Sequence, residues 1–263
     1  MTLLKKKNIS NSSRHKVVLD NTELSKTTRI VKTTLKGFKR YYGRSSSNGR
    51  ITVRRKGGGV SCNYKKDLSG KLSHNSIVLT SLYDLKKASS LSLMFDLKKK
   101  IFFNLLSVKN VLPGSLLSSN PTEKNLYLGD RTQLKNIPVG SIICNLSLKN
   151  INTSQYIKSS GTFGQIIQMD REFSKIRLPS GNCIKVSINS TATLGSINNE
   201  SHKLVCIGNA GRNRRFGNRP KVRGIAMNPV DHPHGGRTNG GRPSVTPWGL
   251  PTKGGFYLKK KKI

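Results

Sequence analysis

The last 56 residues of the chain cannot build a hydrophobic core of their own. Residues 208–263 hold thirteen Lys or Arg against one acid, Asp231, with eleven of the 25 glycines and six of the ten prolines. Such a segment buries too little apolar surface to offset the conformational entropy that it loses on folding. Its sequence is nevertheless complex, with the strings AGRNRRFGNRPKVRGIAMNPVDHPHGG and GGRPSVTPWGLPTKGG. We therefore expect it to take its shape on a polyanion, most plausibly folded RNA.

The charge of the whole chain also indicates a nucleic-acid partner. It carries 48 Lys or Arg against 11 Asp or Glu, a formal net charge of +37 with a pI near 10.7. The excess is +16 in residues 1–71, +9 in 72–207 and +12 in 208–263, so the two ends are the most basic. No apolar run approaches the roughly 18–20 residues that span a bilayer, and we find no long basic amphipathic helix. We expect a polyanionic partner and no membrane insertion.

The middle of the chain is typical of small β domains. Short apolar stretches at 76–80, 91–96, 101–103 and 108–111 are separated by turn residues, which predicts a small barrel over 72–126. Residues 127–200 show the same pattern of short apolar stretches separated by turns, which predicts a second barrel. There, stretches at 140–148, 164–170, 174–178 and 183–186 are apolar or alternating, and the turn residues 179–182 between the last two indicate a β-hairpin. The fold class is mainly β with little helix before residue 200, and residues 1–71 and 201–263 form basic extensions on either side.

The cysteines and the N-terminal residues give information about the cellular compartment of the chain. Cys62, Cys144, Cys183 and Cys206 are widely spread without a C-x-x-C pair, so neither a zinc site nor a disulfide framework is expected. Reduced cysteines suit an intracellular protein. The start, MTLLKKKNISNSSRHKVVL, is basic and Ser-rich and lacks a secretory apolar segment. It is typical either of a transit peptide or of a basic arm of the mature protein.

The N-terminal extension contains candidate RNA contacts. Phe38, Tyr41 and Tyr42 lie among cations; they can stack on bases or anchor the arm to a domain. The triple glycine that follows Arg54-Arg55-Lys56 can bring backbone amides close to phosphates or serve as a hinge. The rRNA-binding residues predicted here are Arg50, Arg54, Arg55, Lys56, Gly57, Gly58 and Gly59.

The motif Asp231-His232-Pro233-His234 invites a catalytic or metal-binding interpretation. Pro233 stiffens an i, i+2 His pair whose rings would point apart in an extended chain, and no further ligand follows nearby. There is no paired carboxylate or visible oxyanion site to support His232 as a general base. We expect no catalysis, no metal site, no cofactor and no small-molecule substrate, although Mg²⁺ associated with RNA can lie nearby. Hydrogen bonding to RNA is the better use of these side chains.

Arginine dominates the first part of the C-terminal extension because its planar fork suits phosphate and guanine edges. Trp248 can stack on a base or close a local turn with Pro247. Lysines at 259–262 supply diffuse charge. The rRNA-binding residues predicted here are Arg212, Arg214, Arg215, Arg219, Lys221, Arg223, Asn228, His232, His234, Arg237, Arg242, Trp248 and Lys253.

The C-terminal strings resemble the universal second protein of the large ribosomal subunit in its bacterial and organellar form. The resemblance extends through NIPVGSIICNLSLK, RLPSGNCIKV, ATLGS and GRITVRRKGGG. It implies an OB-like barrel over 72–126, an SH3-like barrel over 127–200, and extensions that penetrate large-subunit rRNA. Members of that family bind rRNA early, support assembly and the joining of the small subunit at the intersubunit face, contact neighbouring ribosomal proteins and shape the peptidyl-transferase region, which residues 228–236 would approach. Because rRNA forms the peptide bond, His232 is expected to be structural.

Two departures from the family pattern stand out. Gly236 runs directly into Arg237, where relatives carry a further Gly-Glu-Gly, and Val60-Ser61 replaces the usual His-Lys. The string RPSVTPWG and the Lys/Asn-rich composition favour a mitochondrial ribosome over a bacterial cytoplasm or a plastid. The rival hypotheses are a metal- or His-dependent hydrolase acting on nucleic acid and a histone-like or single-strand binder outside the ribosome. The complexity of the C-terminal strings argues against a non-specific binder.

Overall fold

The chain divides into two compact units, each built from segments far apart in sequence. The first unit consists of Met1–Arg40 and Val60–Arg212, and the second of Tyr41–Gly59 and Asn213–Ile263. The computed structural model describes residues 2–11, 13–22, 24, 35–38, 43–60, 63–65, 75–82, 88–119, 126–148, 154–237 and 243–252, with 35–38 and 63–65 described by their backbone alone. The domain boundaries at 71, 126 and 200 that the sequence predicts stay a prediction.

Two short antiparallel strand pairs precede the main sheets. Strand β1 (Leu3–Lys5) pairs with β2 (Val17–Leu19), and β3 (Leu35–Phe38) pairs with β4 (Asn63–Lys65). Val17 exchanges two backbone hydrogen bonds, of 3.1 and 3.2 Å, with Cys206. The sequence does not reveal these strands, because three or four residues are too few to show a period of two.

The first main sheet has four strands in the order β7-β6-β5-β8, and all of its pairs are antiparallel. The register of β5 against β6 shifts between Val78 and Thr80, which marks a bulge. The strands that the sequence predicts at 76–80, 91–96 and 101–103 are confirmed, whereas the predicted strand at 108–111 is reduced to a single bridge between Val108 and Ile197. The strands are β5 (Ser76–Leu82), β6 (Leu91–Asp96), β7 (Phe102–Leu106) and β8 (Leu116–Leu117).

The second main sheet has six strands in the order β13-β12-β11-β10-β14-β9, again with antiparallel pairs. The predicted hairpin is confirmed: Leu178 and Gly181 close its turn through Leu178 N–H to Asn182 O and Gly181 N–H to Leu178 O. The strands are β9 (Arg131–Gln133), β10 (Ile142–Cys144), β11 (Gly164–Met169), β12 (Phe173–Arg177), β13 (Cys183–Ser187) and β14 (Thr191–Leu194). Both main sheets are curled half-barrels, which confirms the mainly β fold with OB-like and SH3-like barrels.

The predicted strand at 140–148 is shorter than expected. Asn145 has a φ of +50°, which ends β10 at Cys144, and the chain continues through a bridge between Leu146 and Tyr156. Alternation in the sequence continues through Leu146 and Leu148 because both side chains still pack against the core. The alternating pattern of buried residues therefore continues beyond the end of the strand.

The core of the first unit joins its two sheets. One buried cluster includes Leu82 and Leu91 of the first sheet together with Ile143, Ile166 and Ile176 of the second. All five side chains are 0% exposed. The burial of each one stabilises the fold by roughly 1.5–3 kcal/mol. This cluster extends from Leu82 to Ile197 and includes none of the described residues of the C-terminal extension.

Helical structure in the described residues is scarce, as the sequence predicts. The α-helix α1 (Ala210–Arg215) has no buried residue. Three short 3₁₀ helices are found at Leu134–Asn136, Glu200–Leu204 and Gly224–Ala226. No helix among the described residues is long and apolar enough to cross a membrane.

Candidate nucleic-acid interface

Residues 43–53 form a closed loop that carries exposed cations. A bridge joins Arg44 to Ile51, the N–H of Ser45 donates to Arg50 O at 2.8 Å, and the N–H of Thr52 donates to Gly43 O at 2.9 Å. Gly43 is buried, and a Cβ there would overlap the carbonyl oxygen of Val53. The loop therefore closes only with glycine at its base.

The triple-glycine segment pairs with the C-terminal extension. Lys56 forms a bridge to Asn218, and its Nζ donates to Asn218 Oδ1 at 2.6 Å. On either side, Gly57 N–H donates to Gly217 O at 3.0 Å and Arg219 N–H donates to Arg55 O at 2.9 Å. Segments about 160 residues apart in sequence thus share one backbone-paired crossing.

Gly59 allows the two backbones to pass closely at this crossing. Its φ is +87°, and a Cβ at this position would lie 2.8 Å from Gly217 N and 2.9 Å from Arg215 O. A side chain would meet backbone that cannot move aside. Gly59 therefore serves close packing within the protein, in addition to any contact with phosphate that the sequence predicts for the triple glycine.

The second unit, which contains this crossing, is rich in cations. Its described residues hold eleven Lys or Arg and a single acid, Asp231. Only Arg55 is half-buried, and the other ten are exposed. The eleven are Arg44, Arg50, Arg54, Arg55, Lys56, Arg214, Arg215, Arg219, Lys221, Arg223 and Arg237. Predicted contacts from both ends of the sequence are thus brought into one cationic unit, which we call the crossing unit (described residues 43–59, 213–237 and 243–252).

The histidine motif is a compact turn. The N–H groups of Asp231 and His232 donate to Asn228 O at 3.0 and 3.3 Å, and Gly235 N–H donates to His232 O at 2.8 Å. The ring of His232 is buried against Gly224, where a Cβ would lie 2.6 Å from ring atoms. A side chain at Gly224 would therefore displace the ring.

The two imidazoles have defined partners. The N–H of His234 donates to Nδ1 of His232 at 3.0 Å, so that nitrogen is an unprotonated acceptor. Burial, the neighbouring His234 and the charge of Arg54 together lower the pKa of His232. His234 Nε2 lies 2.9 Å from Pro243 O and 3.3 Å from Val245 N. The motif therefore connects the 224–237 segment to the loop that carries Trp248.

Trp248 lies in a tight turn next to Arg54. The guanidinium carbon of Arg54 is 4.6 Å from the centre of the Trp248 ring, a cation–π contact. The indole is nevertheless 72% exposed. Val245 forms a bridge to Pro251, and Thr246 N–H donates to Leu250 O at 2.7 Å. Both uses of Trp248 that the sequence leaves open, turn and stacking surface, are compatible with this placement.

Residues 127–249 match the family model described as Ribosomal Proteins L2, C-terminal domain. This match indicates a ribosomal protein L2. The matched range begins just before β9, contains the second main sheet and α1, and ends one residue after Trp248. The match supports a structural role for the chain in the large ribosomal subunit. The partners that the family implies are rRNA and other ribosomal proteins, and the location that it implies is the ribosome.

Some of the other predicted contacts are described by the structure and some lie outside the described residues. Asn228 and Arg237 are exposed in the crossing unit, and Arg212 is half-buried in the first unit. Arg242, Lys253, the lysines at 259–262, Tyr41, Tyr42, Cys62 and the side chain of Phe38 lie outside the described residues. The described residues contain no group of three or more His, Cys, Asp or Glu that could hold a metal ion.

Sequence reasoning treated the two extensions separately and missed their pairing. The pairing of Lys56 with Asn218 leaves no periodic signal because neither segment forms a regular strand. The available signal is weaker: two basic, Gly-containing strings, GRITVRRKGGG and RNRRFGNR, whose few apolar residues, Ile51, Val53 and Phe216, are too sparse to form a core. Such strings need either RNA or each other as a packing partner.

Proposed function

We propose that this chain binds large-subunit rRNA directly and early, and thereby supports subunit assembly. The main support for this proposal is the composition of the crossing unit. It contains eleven cations and one acid, and none of its residues is a buried hydrophobic residue. Ten of those cations project into solvent. Their mutual repulsion is relieved when phosphates lie between them.

The mode of binding follows from the cation types. Nine of the eleven cations are arginines, whose planar fork binds phosphate with two hydrogen bonds and also suits guanine edges. Arg55 and Arg219 lie on the paired backbone of the crossing, and Arg214 and Arg215 lie on helix α1 just before it. Less entropy is lost on binding from such backbone than from a free tail. The proposed rRNA contacts include Arg242 and Lys253 in addition to the described residues.

A second part of the proposal concerns the 228–236 turn. Its resemblance to the family extension supports a position near the peptidyl-transferase centre, and the wider family role supports contact with the small subunit at the intersubunit face. His232 is assigned a structural role there, since its ring is buried and Nδ1 accepts a hydrogen bond from His234. No protein-held metal or cofactor is needed for this role, and nearby Mg²⁺ would belong to the rRNA.

The proposed compartment is the mitochondrial matrix, with the bacterial cytoplasm and the plastid as alternatives. It is supported by the basic, Ser-rich start, the Lys/Asn-rich composition and the string RPSVTPWG. Sucrose-gradient fractionation of organelle and whole-cell lysates, followed by mass spectrometry, tests this. We expect the chain to migrate with the mitochondrial large subunit through a high-salt wash; its recovery only in free or DNA-associated fractions would contradict the ribosomal role itself.

Salt dependence and assembly test the rRNA contact. If about ten cations touch phosphate, the logarithm of the affinity falls with log salt at a slope of about −7 to −9. We expect Arg214→Glu and Arg223→Glu each to impair incorporation into the large subunit. Arg171→Glu is the matched control, because Arg171 is an exposed arginine between Asp170 and Glu172 in the first unit. A slope near −2, or normal incorporation of both variants, would overturn the proposal.

A further inference from the structure

The backbone around Trp248 forms a closed turn, and the residue itself is 72% exposed. Gly249 N–H donates to Thr246 O at 2.9 Å, Leu250 N–H donates to Thr246 Oγ1 at 3.1 Å, and Thr252 Oγ1 donates to Ser244 O at 2.9 Å. These bonds close the turn without involving the indole. Trp248 is therefore presented by its turn and is not itself needed to close it.

One face of the indole is already occupied. The guanidinium of Arg54 lies over the ring with its central carbon 4.6 Å from the ring centre. Since the side chain remains 72% exposed, the opposite face and the ring edge are open to water. An aromatic ring of this size gains most from a flat apolar partner on that open face.

The charge around Trp248 selects the kind of partner. The crossing unit has eleven cations and one acid, and the phosphates of a nucleic acid neutralise such an excess of positive charge. Aromatic rings flanked by cations are typical of sites that bind unpaired nucleotides, in which the ring stacks on the base and the cations hold the backbone. An RNA base therefore fits these surroundings better than a protein side chain.

We propose that Trp248 is a stacking platform for one unpaired RNA base, with Arg54 on the opposite face of the indole and neighbouring cations on the adjoining phosphates. This inference rests on the proposed function and specifies the ligand of one proposed rRNA contact, namely an unpaired base at Trp248. The stacked base is unpaired because bases within a duplex already stack on both sides. Every base has a suitable face, so the platform itself carries little sequence preference.

Intrinsic fluorescence tests this directly, because Trp248 is the single Trp of the chain. The full chain is titrated with an oligoadenylate of about 12 nucleotides and with an abasic ribose-phosphate oligomer of the same length. We expect the oligoadenylate to quench Trp248 fluorescence and the abasic oligomer to bind with little quenching. Equal quenching by both, or quenching by neither while both bind, would overturn the stacking proposal.

Affinities of labelled oligomers give a second readout. Trp248→Leu is expected to weaken oligoadenylate binding about 5- to 150-fold, to leave abasic binding within about twofold, and to leave the melting curve unchanged. Trp248→Phe should retain part of the affinity, because a smaller ring still stacks. Tyr127→Leu is the matched control, an aromatic ring that is 68% exposed in the first unit, and it should change neither affinity. An equal loss for both oligomers in Trp248→Leu would contradict the proposal.

The outcomes separate this inference from the proposed function. Failure of the wild-type chain to bind large-subunit rRNA defeats both. Normal rRNA binding with equal affinities for the oligoadenylate and the abasic oligomer defeats stacking alone. Acrylamide quenching identifies the occupant: shielding of Trp248 by rRNA alone supports a base, and shielding only after ribosomal proteins are added would show that a protein covers it.

Discussion

Nη2 of Arg55 donates a 2.7 Å hydrogen bond to the carbonyl oxygen of Val222, which lies 167 residues later in the chain. Arg55 has a φ of +62°, and its own carbonyl oxygen accepts a hydrogen bond from Arg219. One residue thus joins the N-terminal and C-terminal segments through both its side chain and its backbone. A cation that sequence reasoning assigns to RNA contact also holds the crossing unit together.

Replacing Arg55 with Met should loosen the crossing. The variant keeps an unbranched apolar stem but loses the hydrogen bond to Val222, a loss of about 0.5–1.5 kcal/mol. We expect the amide protons of Gly57 and Arg219, which pair across the crossing, to exchange roughly two to ten times faster. Hydrogen exchange with mass spectrometry measures this. Arg50→Met, at an exposed position in the preceding loop of residues 43–53, is the control, and equal exchange in the two variants would contradict the role of Arg55.

Two neighbouring glycines should respond very differently to alanine. Both have positive φ, +66° at Gly58 and +87° at Gly59, so alanine strains each backbone by about 1–2 kcal/mol. At Gly58 the nearest atom to the added methyl is Arg214 Nη2 at 3.8 Å, whereas at Gly59 the methyl meets the backbone at 2.8–2.9 Å. Gly59→Ala should therefore open the crossing further than Gly58→Ala, as seen by limited proteolysis after Lys56. Similar cleavage rates in both variants would show that close packing at Gly59 is unimportant.

The thiols should fall into two reactivity classes. Burial raises the pKa of Cys144 to about 12, opposed in part by the charge of Arg131. Its side chain is fully buried, while Cys183 and Cys206 are exposed. Because the thiolate is the reactive form, iodoacetamide at neutral pH should alkylate Cys183 and Cys206 and spare Cys144 until the chain is unfolded. Peptide mass spectrometry measures this, and native labelling of Cys144 at the rate of Cys183 would contradict the buried placement of β10.

The parts that sequence reasoning predicts well are those with local signals. The strands around Ile166 and Ile176 show alternation, and the turn at 179–182 between β12 and β13 carries Pro, Ser, Gly and Asn. Period and turn chemistry are properties of a few adjacent residues, so one sequence is enough to reveal them.

The pairing of distant irregular segments has no such local signal in the sequence. The bond between Lys56 and Asn218 depends on where two Gly-rich strings meet, and neither string has a periodic pattern to indicate it. The contact of Arg54 with Trp248 is equally non-local. The residue types of the site were therefore predictable, whereas their grouping into one unit required the fold.

Acidification should weaken the histidine turn through His232. Its folded pKa lies below the ordinary value of about 6.5, chiefly because the ring is buried and then because of His234 and Arg54. The unfolded chain therefore binds more protons between the two pKa values, so stability is complete above about pH 6.5 and falls as the pH drops towards the folded pKa. Protonation would also break the bond from His234 N–H to Nδ1.

His232→Asn tests this sign, because Asn keeps an acceptor oxygen and cannot be protonated. The protection factors of the Gly235 and Gly236 amides, which donate to His232 O and Met227 O, report on the turn. We expect the wild type to be better protected than the variant near neutral pH, and this advantage to shrink steadily below about pH 6.5. His202→Asn in the first unit is the control and should leave the pH dependence of these two amides unchanged. An advantage that stays constant or grows on acidification would show that His232 is not held in its neutral form by the fold.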